Sequence, residues 1–185
     1  YHGAPGLRIT PVLSADLKTA EIHAEAWVTG AAQSVQFTLG EETLSAAVTD
    51  GKAEGTFKLE NVHLWDGVND PYLYKMQATL DSGDAVEANF GCRTIAFDAE
   101  KGFILNGRPY RLCGAARHQD RQGLGNALTE KEHDEDMALL REMGANTVRL
   151  AHYQHAQYFY DLCDKYGLVA WAEIPYITEH MPEGR

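Results

Sequence analysis

Residues 146–175 read "NTVRLAHYQHAQYFYDLCDKYGLVAWAEIP" and set two histidines, an arginine and a glutamate into a strand, a helix and a second strand. "TVRLA" and "LVAWAEIP" are apolar runs of strand length, and "AQYFYDLCDKYG" between them has helical spacing with Gly167 as its C-terminal stop. A helix between two such strands implies parallel pairing. Upstream, "FILNGRPYRLCG" reads as a hairpin turning at Asn106-Gly107, whose second arm runs into "RLCGAARH" as a buried strand. Thr129 with Glu132 is a capping box, and His133, Met137, Leu140 and Met143/Gly144 mark one face of the helix that follows. Parallel strands are therefore expected near 111–116, 146–151 and 168–174. Three such strands leave both edges open, and a (β/α)8 barrel typically takes about 250 residues. Residues 98–185 thus read as the first strands and helices of a TIM barrel, incomplete within this sequence.

Before Phe97 the texture differs. "LRITPVL", "AEIHAEAWV", "SVQFTLG", "LSAAVT", "GTFKLE", "YLYKMQATL" and "AVEANFGCRTIAF" follow one another at roughly the 8–12 residue spacing of a sandwich. The turn "DSGD" at 81–84 joins the last two, and Trp27 with Tyr72 and Tyr74 is the expected bulky core material. Residues 1–97 read as an all-β immunoglobulin-like sandwich, in architecture only, since no Cys…Trp…Cys pattern is present.

With 185 residues, 44% of them hydrophobic, the chain can bury a real core. Sixteen Lys+Arg against 27 Asp+Glu give a formal charge of -11 with no basic block, which argues against nucleic acid. No apolar run approaches the ~20 residues that span a bilayer. Cys92, Cys113 and Cys163 lie far apart in apolar segments and read as buried thiols. They favour a reducing, cytoplasmic compartment; the sequence opens at Tyr1 without an initiator Met, so a leader and a periplasmic address stay open.

In such barrels chemistry sits at the C-terminal ends of the strands. His118 follows the first strand, Arg149 and His152 close the second, and Glu173 closes the third, with Glu179 and His180 beyond. A lone strand-end histidine is more often a satisfied structural residue, but three successive strands ending this way make a pocket wall. Arg149 within "TVRLA" is expected to be a buried guanidinium, which requires a carboxylate facing it; the plain alternative is an ion pair without function. Glu179-His180 offers oxygen and nitrogen for a divalent cation, yet two adjacent residues read more readily as a solvated loop. "GLG" at 123–125 lacks the setting of a phosphate loop. Tyr153, Tyr158, Phe159, Tyr160 and Tyr166 fall mostly at helix-packing positions.

The 146–171 stretch resembles the first signature of the family-two glycoside hydrolases, through Asn146, Arg149, His152, Tyr153, Asp164 and Gly167, with Leu150 and Gln154 departing from it. "GFILNGRPYRLCGAARHQD", with Arg117-His118, looks like that family's barrel entry, and "LWDGVNDPYLYKMQATL" like the end of its immunoglobulin-like spacer. "ARHQDRQGLGNAL" and "WAEIP" look most like bacterial β-galactosidases, while β-glucuronidases and β-mannosidases share the frame. The resemblance implies a retaining enzyme that cleaves terminal β-galactosides with two carboxyl groups ~5 Å apart. It also places those two glutamates after later barrel strands, outside this sequence, so residues 1–185 alone are expected to be inactive. By the same resemblance His118 and His152 hold sugar hydroxyls and Arg149 keeps a distant nucleophile ionised. The family's magnesium site follows the third strand, but "EIPYITEHM" does not match its ligands in register, and no cofactor is assigned.

The expected partners are a carbohydrate and the remainder of the barrel, with self-association where apolar strand faces stay uncovered. The reading from another class is a non-catalytic carbohydrate-binding or adhesion module built on the sandwich; it leaves the strand-end polar residues without a reason. A doubly wound nucleotide domain lacks its phosphate loop.

Overall fold

The computed structural model describes residues 6–175; Glu179 and His180 lie outside them. The chain divides into two compact units. Residues up to Trp65, with 72–96 and 105–108, form one; 66–71, 97–104 and the residues from Pro109 onward form the other.

The first unit is two antiparallel sheets. Strands β1 (Leu7–Leu13), β2 (Thr19–Trp27) and β5 (Lys52–Glu60) make one, in that order. The other runs β4 (Glu42–Ala47), β3 (Ser34–Leu39), β6 (Tyr74–Leu80) and β7 (Ala85–Phe90). Period-two alternation decides what each strand buries: Ala20, Ile22, Ala24 and Ala26 from β2 meet Val35, Phe37 and Leu39 from β3 and Met76 and Ala78 from β6 in one core. Two expectations need correcting here. The tryptophan of this unit that is nearly inaccessible is Trp65, at 2% exposure; Trp27 is half-buried with Arg8 and Lys52 each 5.2 Å from its ring, and Tyr72 is exposed. The run "AVEANFGCRTIAF" is not one strand but β7 and β8 (Ile95–Asp98), parted where Arg93 lies 4.5 Å over the Trp65 ring.

Strand β8, β9 (Gly102–Leu105) and β10 (Arg108–Pro109) form a small sheet, with Asn106 and Gly107 both at positive φ in the hairpin turn. In the second unit β11 (Gly114–Arg117), β12 (Thr147–Leu150) and β13 (Val169–Ala172) run parallel in that order, with α1 (Glu130–Glu142) and α2 (Gln157–Tyr166) between them in sequence. The capping box of Thr129 and Glu132 opens α1, and Gly167 closes α2 at φ 78°. A side chain there would face left-handed strain, and its Cβ would sit 2.2 Å from the Gly67 carbonyl oxygen. Val148 and Leu150 point to the helices and share a core with Met137, Leu140, Phe159, Leu162 and Cys163. Each such side chain contributes on the order of 1.5–3 kcal/mol by leaving water. Met143, placed by its spacing on that face, is exposed instead, because α1 has ended before it.

The first parallel strand departs from expectation. It begins at Gly114, three residues later than 111, and is not buried: Gly114 and Ala116 are exposed on the face away from the helices, and the Cys113 thiol just before them is exposed as well. Cys92 and Cys163 are buried as expected, and burial pushes their thiols up to about 11 and about 12. At Gly114 β11 leaves no room for a side chain, since a Cβ there would lie 1.9 Å from the Thr147 carbonyl oxygen. No helix among the described residues is long and apolar enough to cross a membrane.

Candidate functional site

The register of the parallel sheet sets Ala116, Arg149 and Trp171 side by side. Alternation then carries Arg149 to the face opposite Val148 and Leu150, away from the helices. One residue past β11 the chain supplies His118, two past β12 His152 and one past β13 Glu173, so the polar residues of three consecutive strands gather at one end of the sheet.

Arg149 meets the acidic partner its position demands. Its Nε donates to Glu173 Oε1 at 2.7 Å and its Nη2 to Oε2 at 3.2 Å, a two-pronged pair. The guanidinium is not buried, however; its side chain is 42% exposed, because the face it lies on is open among the described residues. His152 Nδ1 stands 3.2 Å from both Arg149 Nη2 and Glu173 Oε2. One nitrogen cannot accept from the first while donating to the second, so the two contacts belong to alternative proton positions. The exposed His118 ring meets the His152 ring edge-on, 5.2 Å between centroids. Hydrogen bonding from Arg149, helped by His152, holds the Glu173 carboxyl below the usual carboxylate range in spite of partial desolvation.

Neighbouring side chains fix the turn after β12. Gln154 Nε2 donates to the Glu173 carbonyl at 2.9 Å and the Tyr160 hydroxyl donates to Gln154 Oε1 at 2.9 Å. The Gln119 amide donates to the Tyr153 hydroxyl at 3.1 Å, and the Gln119 Oε1 accepts from the Ala156 amide at 2.6 Å. The peptide between Ala151 and His152 is cis. Gln119 and Gln154 escaped sequence reasoning, since an exposed-looking glutamine carries no periodic signal.

Arg149 and His152 are thus brought together on Glu173, and His118 joins them through the His152 ring. Among the described residues no three His, Cys, Asp or Glu side chains are grouped to hold a metal ion. The arrangement offers a planar donor fork, two imidazoles and one ionised carboxylate on an accessible ledge, a set suited to holding polyhydroxylated ligands by hydrogen bonds.

Comparison with known proteins bears on what that ledge belongs to. A β-glucuronidase of Bacteroides fragilis is 47% identical over 123 residues, covering 64% of this chain and 18% of that protein. A β-galactosidase of Bacteroides ovatus is 33% identical over 140 residues, covering 71% of this chain and 16% of its own length. The crystal structure of an FMN-binding β-glucuronidase from Facaelibacterium prausnitzii L2-6 superposes with a TM-score of 0.82 at 35% identity, over 95% of this chain and 28% of that one. The chain therefore spans less than a third of each of these proteins. The family description "Glycosyl hydrolases family 2" matches residues 5–93, and "Glycosyl hydrolases family 2, TIM barrel domain" matches residues 98–184. With both halves matched to one family, the chain belongs to the family 2 glycosyl hydrolases.

Proposed function

We propose that this chain supplies the sugar-holding ledge of a retaining β-glycosidase, with residues 1–97 as its immunoglobulin-like spacer and residues 98–185 as the opening of its (β/α)8 catalytic barrel. The observation that carries the reading is the Arg149–Glu173–His152 cluster with His118 edge-on to it, at the C-terminal ends of consecutive parallel strands. In this role His118 and His152 hydrogen-bond sugar hydroxyls. Arg149 spends its Nε and Nη2 on Glu173, while its Nη1 hydrogens make no bond among the described residues and remain for a further carboxylate. Glu173, committed to Arg149, is a structural anion and neither the acid/base nor the nucleophile. Those two carboxyl groups come from the rest of the full-length protein.

The sugar is read in two ways. The motifs "ARHQDRQGLGNAL" and "WAEIP" favour a terminal β-galactoside, whereas the 47% identity to a β-glucuronidase favours a β-glucuronide. We take the glucuronide as the better supported of the two. The experiment is to assay the full-length protein on paired nitrophenyl β-glucuronide and β-galactoside, beside its His118→Ala and His152→Ala variants. Faster turnover of the galactoside would reverse the choice of sugar, and near-parental kinetics in both variants would remove the ledge assignment.

A further inference from the structure

On the helix-facing side of the sheet lies a second polar cluster that the ledge does not use. Arg117 ends β11, and its side chain is 6% exposed. Its Nε donates to Asp136 Oδ2 at 2.9 Å, its Nη1 to His155 Nδ1 at 2.9 Å, and its Nη2 to His133 Nδ1 at 2.9 Å. The guanidinium carbon sits 3.9 Å over the Phe159 ring, and Arg121 binds the other Asp136 oxygen at 2.9 Å. Both imidazoles are buried, His133 at 2% exposure and His155 at 6%.

A guanidinium has donors only. Each Nδ1 facing Arg117 must therefore offer a lone pair, which leaves the proton of the neutral ring on Nε2. His155 Nε2 lies 3.1 Å from the Ala151 carbonyl oxygen and so donates to it. Ala151 immediately precedes His152, and it is fully buried. A chain of bonds runs from Arg117 through His155 to the peptide that carries the ledge histidine.

We propose that Arg117 is a positioning residue: by fixing His155 in its Nε2–H form it ties the Ala151 carbonyl and sets where His152 presents its ring to Glu173 and His118. The consequence for turnover rests on the reading of His152 as a sugar ligand; the geometric consequence does not. Asp136 takes only the Nε hydrogen and one Nη2 hydrogen of the five that Arg117 carries, as in an ordinary buried ion pair. Two imidazole acceptors, one of them bonded onward to the strand end, give the arginine a directional task that the carboxylate alone leaves undone. Burial keeps both rings neutral, with the charge of Arg117 acting in the same sense.

The test uses the full-length protein and three variants. His155→Leu removes both bonds; His155→Gln keeps an acceptor for Arg117 and a donor for Ala151. Arg117→Lys keeps the charge beside Asp136 but not the fork that reaches two rings. The expected result is a kcat about 100-fold lower in His155→Leu and Arg117→Lys with KM little changed, and recovery of most of it in His155→Gln. Crystal structures of the first two should show the His152 ring displaced from Glu173. A folded His155→Leu or Arg117→Lys whose His152 Nδ1 still stands about 3.2 Å from Glu173 Oε2 overturns the proposal, as does a His155→Gln no better than His155→Leu. If His155→Leu does not fold, Arg117→Lys decides. Near-parental kinetics of His152→Ala would instead sink the sugar-ligand reading, and the crystallographic comparison would still judge the positioning role.

Discussion

Arg149 and Glu173 bind end to end across the seam between β12 and β13, Nε to Oε1 at 2.7 Å and Nη2 to Oε2 at 3.2 Å. The pair joins a residue inside one strand to the residue just past the next. It thereby fixes the height at which His152, between them in space, stands on the ledge.

That pair has a defined acid limit. Glu173 has its folded pKa lowered from 4.5, first by Arg149, so its contribution to stability is present above about pH 4.5 and is lost as pH falls through the lowered value. The stability difference between the parent and Glu173→Gln should hold constant at neutral pH and shrink only below that range, as read by denaturant melts at stepped pH. A difference that does not shrink below about pH 4.5 would show that Arg149 does not hold the carboxylate.

For the ledge histidines the expected signature is kinetic. His118→Ala and His152→Ala in the full-length protein should each raise the activation barrier by about 2–4 kcal/mol, the cost of losing one preorganised donor, with little change in melting temperature. Steady-state kinetics beside thermal melts separates this outcome from a folding defect.

Residues 1–185 alone should not hydrolyse nitrophenyl β-glucuronide or β-galactoside. Asp120 is exposed and follows β11, and Glu173 is held by Arg149, so these two do not form the pair ~5 Å apart that retention requires. Activity in this piece that vanishes in Glu173→Gln would make Glu173 catalytic.

Burial of His133 and His155 as neutral rings gives a second pH dependence, of distinct origin. Facing His155 are Arg117, His118, His133 and Tyr153; facing His133 are Arg117, Glu132, Asp134, Asp136 and Tyr158. Both folded pKa values lie below 6.5, so the unfolded chain binds more protons once pH drops below about 6.5, and stability falls from there down through the folded values. Melts of the full-length protein should lose stability between pH 7 and 5, and the double variant His133→Gln/His155→Gln should lose less.

Phe159 carries the core of the second unit and the face on which Arg117 lies. Phe159→Ala should cost about 3–5 kcal/mol of stability, measured by denaturant unfolding, because it opens a cavity and removes a cation–π contact together.

What the sequence disclosed follows the range of the forces involved. The cap at Thr129 and Glu132, the stop at Gly167 and the turn at Asn106-Gly107 depend on residues within a few positions, and all three are as read. A partner for Arg149 was legible because a strand guanidinium demands one. The exchange of Trp27 for Trp65 was not, since which tryptophan enters a sandwich depends on how distant strands register. The partners of Arg117 were hidden for the same reason: Asp136 and His155 lie 19 and 38 positions away, and His133 reads along α1 as one more buried-face residue.

The three tryptophans differ sharply in setting. Trp65 is 2% exposed, Trp27 is flanked by two cations, and Trp171 is 63% exposed beside Arg149 in the register of the sheet. The molecule consequently carries its own optical gauge. Emission from Trp171 starts at the wavelengths of indole in water and moves blue only when something dry settles over the ledge. Ligand, later barrel strands or a second molecule would each write its arrival in that one fluorophore, while Trp65 stays silent.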